Sequence, residues 1–199
     1  MTSKIQDSKV LFDNLPERQG ASWWQERRQV VWAQFNEKGL PDSSWEAWKY
    51  VSIDRIQSLS YHQDSSVSDH ETLRSFLPET GSQTLVFVNG CFSEKLSSFL
   101  CEDGLRIQLL QDVIDSDTGH QDLSAFFDYT VSEPNPYALM NGFCAQDGVF
   151  IDVAPGIEVK EPIHLVFVVT GDAPVVSQPR CYFRVGEGAS FSLGTSFVC

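Results

Sequence analysis

Apolar positions recur at three- and four-residue spacing near the start of the chain and again after residue 136; elsewhere the chain alternates short β-branched and aromatic runs with Gly, Pro, Asn and Asp. The first helical stretch is the clearest. Trp24, Arg27, Val31 and Phe35 share one face, Ser22 with Gln25 three residues on forms a capping-box pattern, and Gly39 and Pro41 stop the periodicity. A helix is therefore predicted over residues 22–38. The next stretch, PDSSWEAWKYVSIDRI at 41–56, offers Asp42, Ser43 and Ser44 as caps of a short turn and sets Trp45 and Trp48 three apart, so both indoles leave one side of it. Covering the next layer of core is the ordinary role of such a pair, and a stacking platform for a ligand is the sharper one.

Residues 61–82 are rich in Ser, Asp and His around one apolar helical patch at Leu73, Phe76 and Leu77, which reads as a loop with a short helix. TLVFVNGCFSEKLS at 84–97 sets two strands across Asn89-Gly90, the signal of a type I′ hairpin. LRIQLL at 105–110 reads as a third strand, and the segment 122–148 passes a turn at Pro134 and Pro136 into a helix bearing Tyr137, Leu139, Met140 and Phe143. After Gly148 the texture changes to GVFIDV, a turn at Pro155-Gly156, IEV, a turn at Pro162, IHLVFVV, a turn at 171–174, CYFRV, a Gly186-Gly188 corner and SFSLGTSFV.

Close-set strands with no helix between them describe stacked β-coils or a sandwich better than α/β units. Three segments follow: a helical one at 1–60, a mixed α/β one at 61–147, and the start of a β-coil core at 148–199. SFSLGTSFVC ends inside a strand pattern, leaving an apolar edge open to pairing. A stack of coils needs about three rungs and a cap, so the expectation is a truncated chain or one completed by another subunit. Self-association through the terminal strands follows as a further expectation.

Composition narrows the class. With 199 residues, 42% apolar and 21% charged, the chain can bury a substantial core, which excludes intrinsic disorder. The net charge of −13 repels phosphate backbones and anionic lipid, so neither nucleic acid nor a membrane surface is an expected ligand. That charge is concentrated: residues 61–151 hold 3 basic and 14 acidic side chains, whereas residues 1–60 hold 8 of each. A solvated acidic face accounts for it, with a docking surface for a basic partner as the alternative. Charges throughout the first 20 residues leave no room for a signal-peptide core, and the longest apolar stretch, Ile163 to Val169, is far short of the roughly 20 residues of a membrane span. A cytoplasmic protein is expected.

Chemistry-bearing residues do not converge in the sequence. Cys91, Cys101, Cys144, Cys181 and Cys199 show no CxxC spacing, His62, His70, His120 and His164 are widely scattered, and GEGAS at 186–190 lacks the Lys and helix of a phosphate loop. Asp152 and Glu158 flank a turn and could imitate the acid/base pair of a polysaccharide-cleaving β-helix, but surface solvation is the better reading. No catalytic, cofactor-binding or metal residue is assigned.

The succession LP, Trp-rich helix, GLP and WEAWKYVSIDRI resembles the amino-terminal region of the SufD family, subunits of the SufBCD iron-sulfur cluster assembly machinery. The stretch that holds Trp45, Trp48, Lys49, Tyr50, Ser52 and Ile53 is similar to the family's E-x-W-K-Y-[TS]-x-[LI] pattern, with Val51 standing at the [TS] position. LVFVNGCFSEKLS is similar to its hydrophobic hairpin, and NPYALMNGFCAQDGVFIDVAPGIEVKEPIHLVFV to the opening of its β-helical core. The resemblance implies an α+β amino-terminal domain followed by the first coils of a right-handed parallel β-helix. It implies a non-enzymatic scaffold or interaction subunit that pairs through its β-helix with a SufB-like subunit and also meets a SufC-like one. The family's SufC-binding helices and its cluster-building His and Cys positions would lie beyond residue 199, so Cys199 takes no such role. No cofactor is expected in this stretch, the iron-sulfur cluster being handled by the complete complex. The alternative is a β-helical carbohydrate-active enzyme or sugar-binding module, for which an export signal would be expected.

Overall fold

In the computed structural model, residues 20–51, 61, 70–75, 77, 83–132, 135–145, 147–172 and 174–199 are described. Helix α1 spans Ser22–Lys38, as the spacing predicts, and ends at Gly39 (φ 71°), whose N–H bonds back to Phe35 O at 2.7 Å. Its start differs from the capping-box expectation. Ala21 caps the helix without a side-chain bond and Ser22 is already helical, so the Ser22 hydroxyl stands one residue too late to serve. Trp24, Val31 and Phe35 are buried as expected, but the cation of that face is Arg28 as well as Arg27: its Nε donates to Phe143 O at 2.9 Å.

That carbonyl belongs to helix α5, Pro136–Cys144, the helix expected from Tyr137, Leu139, Met140 and Phe143. Asn135 caps it by accepting from Tyr137 N–H at 3.0 Å, and Pro136 fits the first turn, where no N–H partner is needed. Val31 and Phe35 of α1 lock against Leu139, Met140 and Phe143, with the Trp32 and Phe143 rings edge to face at 4.6 Å. Full burial of each such side chain contributes about 1.5–3 kcal/mol, so the packed pair of faces, not helix propensity, holds α1 in place. Asp42 accepts from Ser44 N–H at 2.9 Å ahead of a 3-10 turn at Glu46–Trp48, where the half-buried Trp48 meets Tyr137 at 5.3 Å. A short helix α2, His70–Arg74, contributes Leu73; the expected Phe76 lies outside the described residues.

The hairpin forms where expected but with one short arm. Strand β1 is Gln83–Val88, and β2 is only Cys91–Phe92. Asn89 (φ 51°) and Gly90 (φ 86°) both take the left-handed conformation that a type I′ turn demands. After β2 the chain turns, and Ser98 returns to bridge Thr84. Asn89 also binds the neighbouring strand. Its side chain donates to Thr170 O at 3.0 Å and accepts from Thr170 N–H at 2.9 Å, extending that strand's ladder by one buried residue.

Strand β3, Leu105–Leu109, stops one residue short of the expected LRIQLL because Leu110 opens helix α3, Leu110–Asp115. Helix α4, Gly119–Ser132, follows; neither helix was expected from the sequence. The remaining strands are β4, Gly148–Val153, β5, Ile163–Val168, β6, Arg180–Val185, and β7, Leu193–Val198. The expected IEV strand is reduced to a single parallel bridge, Glu158 to Ser190.

The strands form two sheets, and from β4 onward successive strands alternate between them. One has the order β2-β1-β5-β7 and the other β3-β4-β6, with β1, β5 and β7 mutually parallel, β4 parallel to β6, and β2 and β3 antiparallel to their neighbours. Leu85, Phe87, Ile107, Val149, Ile151, Ile163 and Leu165 meet between the sheets. The outer faces are covered too. Val86, Val88, Val166 and Val168 pack against Leu73 and Leu96, while Phe150 and Tyr182 lie under Trp24, Leu110, Val113 and Leu123 of the helices. This two-sided burial explains why β1 and β4 read as near-continuous apolar runs instead of alternating ones. Gly148 is fixed by crowding, since a Cβ there would lie 1.6 Å from Arg180 O.

Asn89 yields a stability prediction. Asn89→Ala forfeits two side-chain hydrogen bonds and incurs the left-handed backbone penalty, for an expected loss of about 2–4 kcal/mol. Asn89→Gly keeps the turn and forfeits the bonds, so urea denaturation should place it between the wild type and the Ala variant.

Candidate functional site

Two features stand out among the described residues: a ladder of arginines and aspartates on the outer face of the β3-β4-β6 sheet, and the open edge of β7. Strand register builds the first. Arg106 on β3, Asp152 on β4 and Arg184 on β6 sit in one row across the sheet, and Asp122 of α4 comes down onto them. Arg184 grips Asp152 through Nε at 2.7 Å and a second nitrogen at 2.8 Å, and reaches Asp122 at 2.7 Å. Arg106 meets Asp152 at 3.0 Å and Asp122 at 3.8 Å. Both guanidinium groups also lie over the Phe150 ring, at 5.6 and 5.2 Å. Signs therefore alternate, and α4 is tied to all three strands by one network.

The electrostatics follow from the geometry. Hydrogen bonding to Arg184 is the main cause holding the Asp152 carboxyl below the usual carboxylate range; desolvation opposes it, and the Arg184 and Arg106 charges add to the lowering. Arg184 is correspondingly held above its ordinary value by Asp152 and Asp122. Asp152 is thus ionised and fully engaged, whereas Glu158 is exposed on the following turn. The two carboxylates expected as an imitation acid/base pair have different surroundings, and Asp152 is committed to arginine.

The second feature is an edge. Phe87, Phe167 and Phe197 occupy one register row of parallel β1, β5 and β7 and stack at 5.4 and 5.2 Å with nearly parallel planes. Phe197 is 80% exposed, and Leu193 and Val185 are also exposed on the last strands of the two sheets. On the other face, His164 Nε2 and Ser196 Oγ are 2.9 Å apart, so this histidine is a strand-to-strand link. His120 stands edge to face against Trp23 at 5.2 Å. The His62 and His70 side chains lie outside the described residues.

All five cysteines are free thiols. Burial pushes Cys144 and Cys181 up to about 12, which leaves them protonated and poor as nucleophiles or ligands at neutral pH. Cys101 and Cys199 are exposed. No group of three or more His, Cys, Asp or Glu placed to hold a metal ion occurs among the described residues, and no described helix is long and apolar enough to cross a membrane. The row of Arg106, Asp152 and Arg184 could not be read from spacing, since the pairs are 46 and 32 residues apart and only strand register joins them.

A family model described as the SufBD protein N-terminal region matches residues 12–165. The chain belongs to the SufBD family. An iron-sulfur cluster assembly SufBD family protein from Synechocystis sp. (strain ATCC 27184 / PCC 6803 / Kazusa) is 23% identical over 168 residues, covering 79% of this chain and 35% of the relative. The chain thus spans about a third of that relative's length.

The ladder carries a pH prediction. Because the folded state lowers the Asp152 pKa, its contribution is complete above the unfolded value of about 4 and fades as pH falls through the lower folded value. Asp152→Asn should therefore be less stable than wild type by a constant amount at neutral pH, about 1 kcal/mol once solvent screening of these partly exposed arginines is allowed for. Thermal melts from pH 7 to pH 2 should show that gap closing below about pH 4.

Proposed function

We propose that this chain serves iron-sulfur cluster assembly as a SufD-like, non-enzymatic scaffold subunit, pairing with a SufB-like partner through its parallel strands. The match of the SufBD N-terminal model to residues 12–165 is the observation that carries the reading. Assignment to the SufD branch rests on the residues of the WEAWKYVSI stretch and on the hairpin at 84–97.

The fold proposal that accompanies it is the opening of a right-handed parallel β-helix. Its support is the alternation of β4, β5, β6 and β7 between two sheets, with β4 to β6 and β5 to β7 parallel and in register. Such a stack offers a rigid apolar edge and flat faces, which suit subunit pairing better than catalysis. In this reading the iron-sulfur cluster is cargo of the assembled complex, no residue of this chain is a cofactor ligand, and the protein works in the cytoplasm with SufB-like and SufC-like subunits. The pairing of Asp152 with two arginines weighs against the carbohydrate alternative, whose acid/base pair would have used it.

Co-purification tests the function. The complete natural protein should bring down SufB-like and SufC-like proteins, and failure to associate with either would remove the reading's main content. The 199-residue chain tests the edge on its own. Light scattering should show concentration-dependent self-association through β7 that Phe197→Glu abolishes, whereas a strict monomer at high concentration contradicts it.

A further inference from the structure

The β3-β4-β6 sheet has its own free edge, at the other end of the stack from β7, because β3 is outermost there and antiparallel to β4. The bond from Ala154 N–H to Gly104 O, 2.8 Å, sets the phase of that ladder. Residues 106 and 108 exchange bonds with β4, so Leu105 and Ile107 turn their N–H and C=O groups outward, as Leu109 does its N–H, while the C=O of Leu109 heads helix α3 as its N-cap. Some of these are taken: Leu105 N–H bonds to Glu102 O at 2.9 Å, and the Cys101 thiol reaches Ile107 O at 3.6 Å, a weak contact. The N–H groups of Ile107 and Leu109 meet no acceptor among the described residues.

Alongside runs an open groove of about 700 Å³. Phe92, Phe99, Ile107 and Leu109 supply its apolar wall, Glu94 and Asp112 are exposed carboxylates on it, and no Lys or Arg lines it. We propose that this groove is a docking site for an extended segment of a partner protein in which Lys or Arg alternates with apolar residues, added as a strand beside β3. The unpaired amides supply main-chain bonds independent of sequence. Alternation then decides which segments fit. Apolar side chains on one side of the added strand meet Phe92 and Phe99, and cationic ones are drawn to Glu94 and Asp112. The excess of 14 acidic over 3 basic side chains in residues 61–151 adds a longer-range attraction of the same sign. This inference stands apart from the proposed role in cluster assembly, since it uses neither β7 nor the family match.

The test uses the 199-residue chain and two fluorescein-labelled probes, one peptide alternating Lys with Val and one alternating Glu with Val. Anisotropy should rise saturably with the Lys-Val probe and not with the Glu-Val probe. The Glu94→Lys, Asp112→Lys double variant should bind the Lys-Val probe at least tenfold more weakly; both positions are exposed, so it should still melt cooperatively, a little below the wild type because Asp112 lies in the first turn of α3. Amide exchange followed by NMR should slow at Ile107 on binding. Absence of saturable binding, equal affinity for both probes, an unaffected double variant, or protection confined to β7 amides would each overturn the proposal.

Discussion

Parallel backbone pairing between strands that are not neighbours in sequence is the constraint from which the rest of this structure follows. Parallel strands cannot be joined by a tight turn, so the chain that leaves β4 must travel before β6 can lie beside it. Here it uses that distance to form β5 in the opposite sheet, and β6 to β7 repeats the move. Both sheets are thereby held at packing distance by the same covalent path. Because each sheet carries buried apolar residues on its outer as well as its inner face, each also needs an outer cover: α3, α4 and Trp24 on one side, and Leu73, Leu77 and Leu96 on the other.

Local signals carried much of this architecture in the open. Asn89-Gly90 specifies its turn through the φ > 0 that both residues accept, and the Trp24, Val31, Phe35 spacing specifies a helix face. What stayed hidden did so for identifiable reasons. LQDVID in α3 continues directly from a strand, and its apolar residues Leu110, Val113 and Ile114 follow LRIQL without a break that would announce a helix. The Ser22–Gln25 pattern imitates a cap one residue away from where the helix begins. Arg106, Asp152 and Arg184 are ordinary charged residues on strands until register puts them in one row.

That row also clarifies the uneven charge. Residues 61–199 contain only six Lys or Arg. Arg106 and Arg184 are absorbed by Asp122 and Asp152, Arg180 donates to Asn141 Oδ1 at 3.1 Å, and Arg74 donates to Lys95 O at 2.7 Å. Four of the six basic groups are thus used in tying elements together, and carboxylates such as Glu94, Glu102, Asp103 and Asp112 face solvent. The acidic surface is a by-product of where the fold uses its cations.

The repeat is uneven in length, with β4 facing β6 after 32 residues and β5 facing β7 after 30, while the bridge from Glu158 to Ser190 still keeps 32. The corner from Ser190 to Leu193 is therefore two residues shorter than the one from Glu158 to Ile163, without disturbing either ladder. A deletion of one residue inside β5 would instead turn Leu165 outward and His164 inward along the whole strand. Changes of length are accordingly tolerable at the corners between strands and ruled out within them, so the chain can grow or shrink there while both ladders keep their partners.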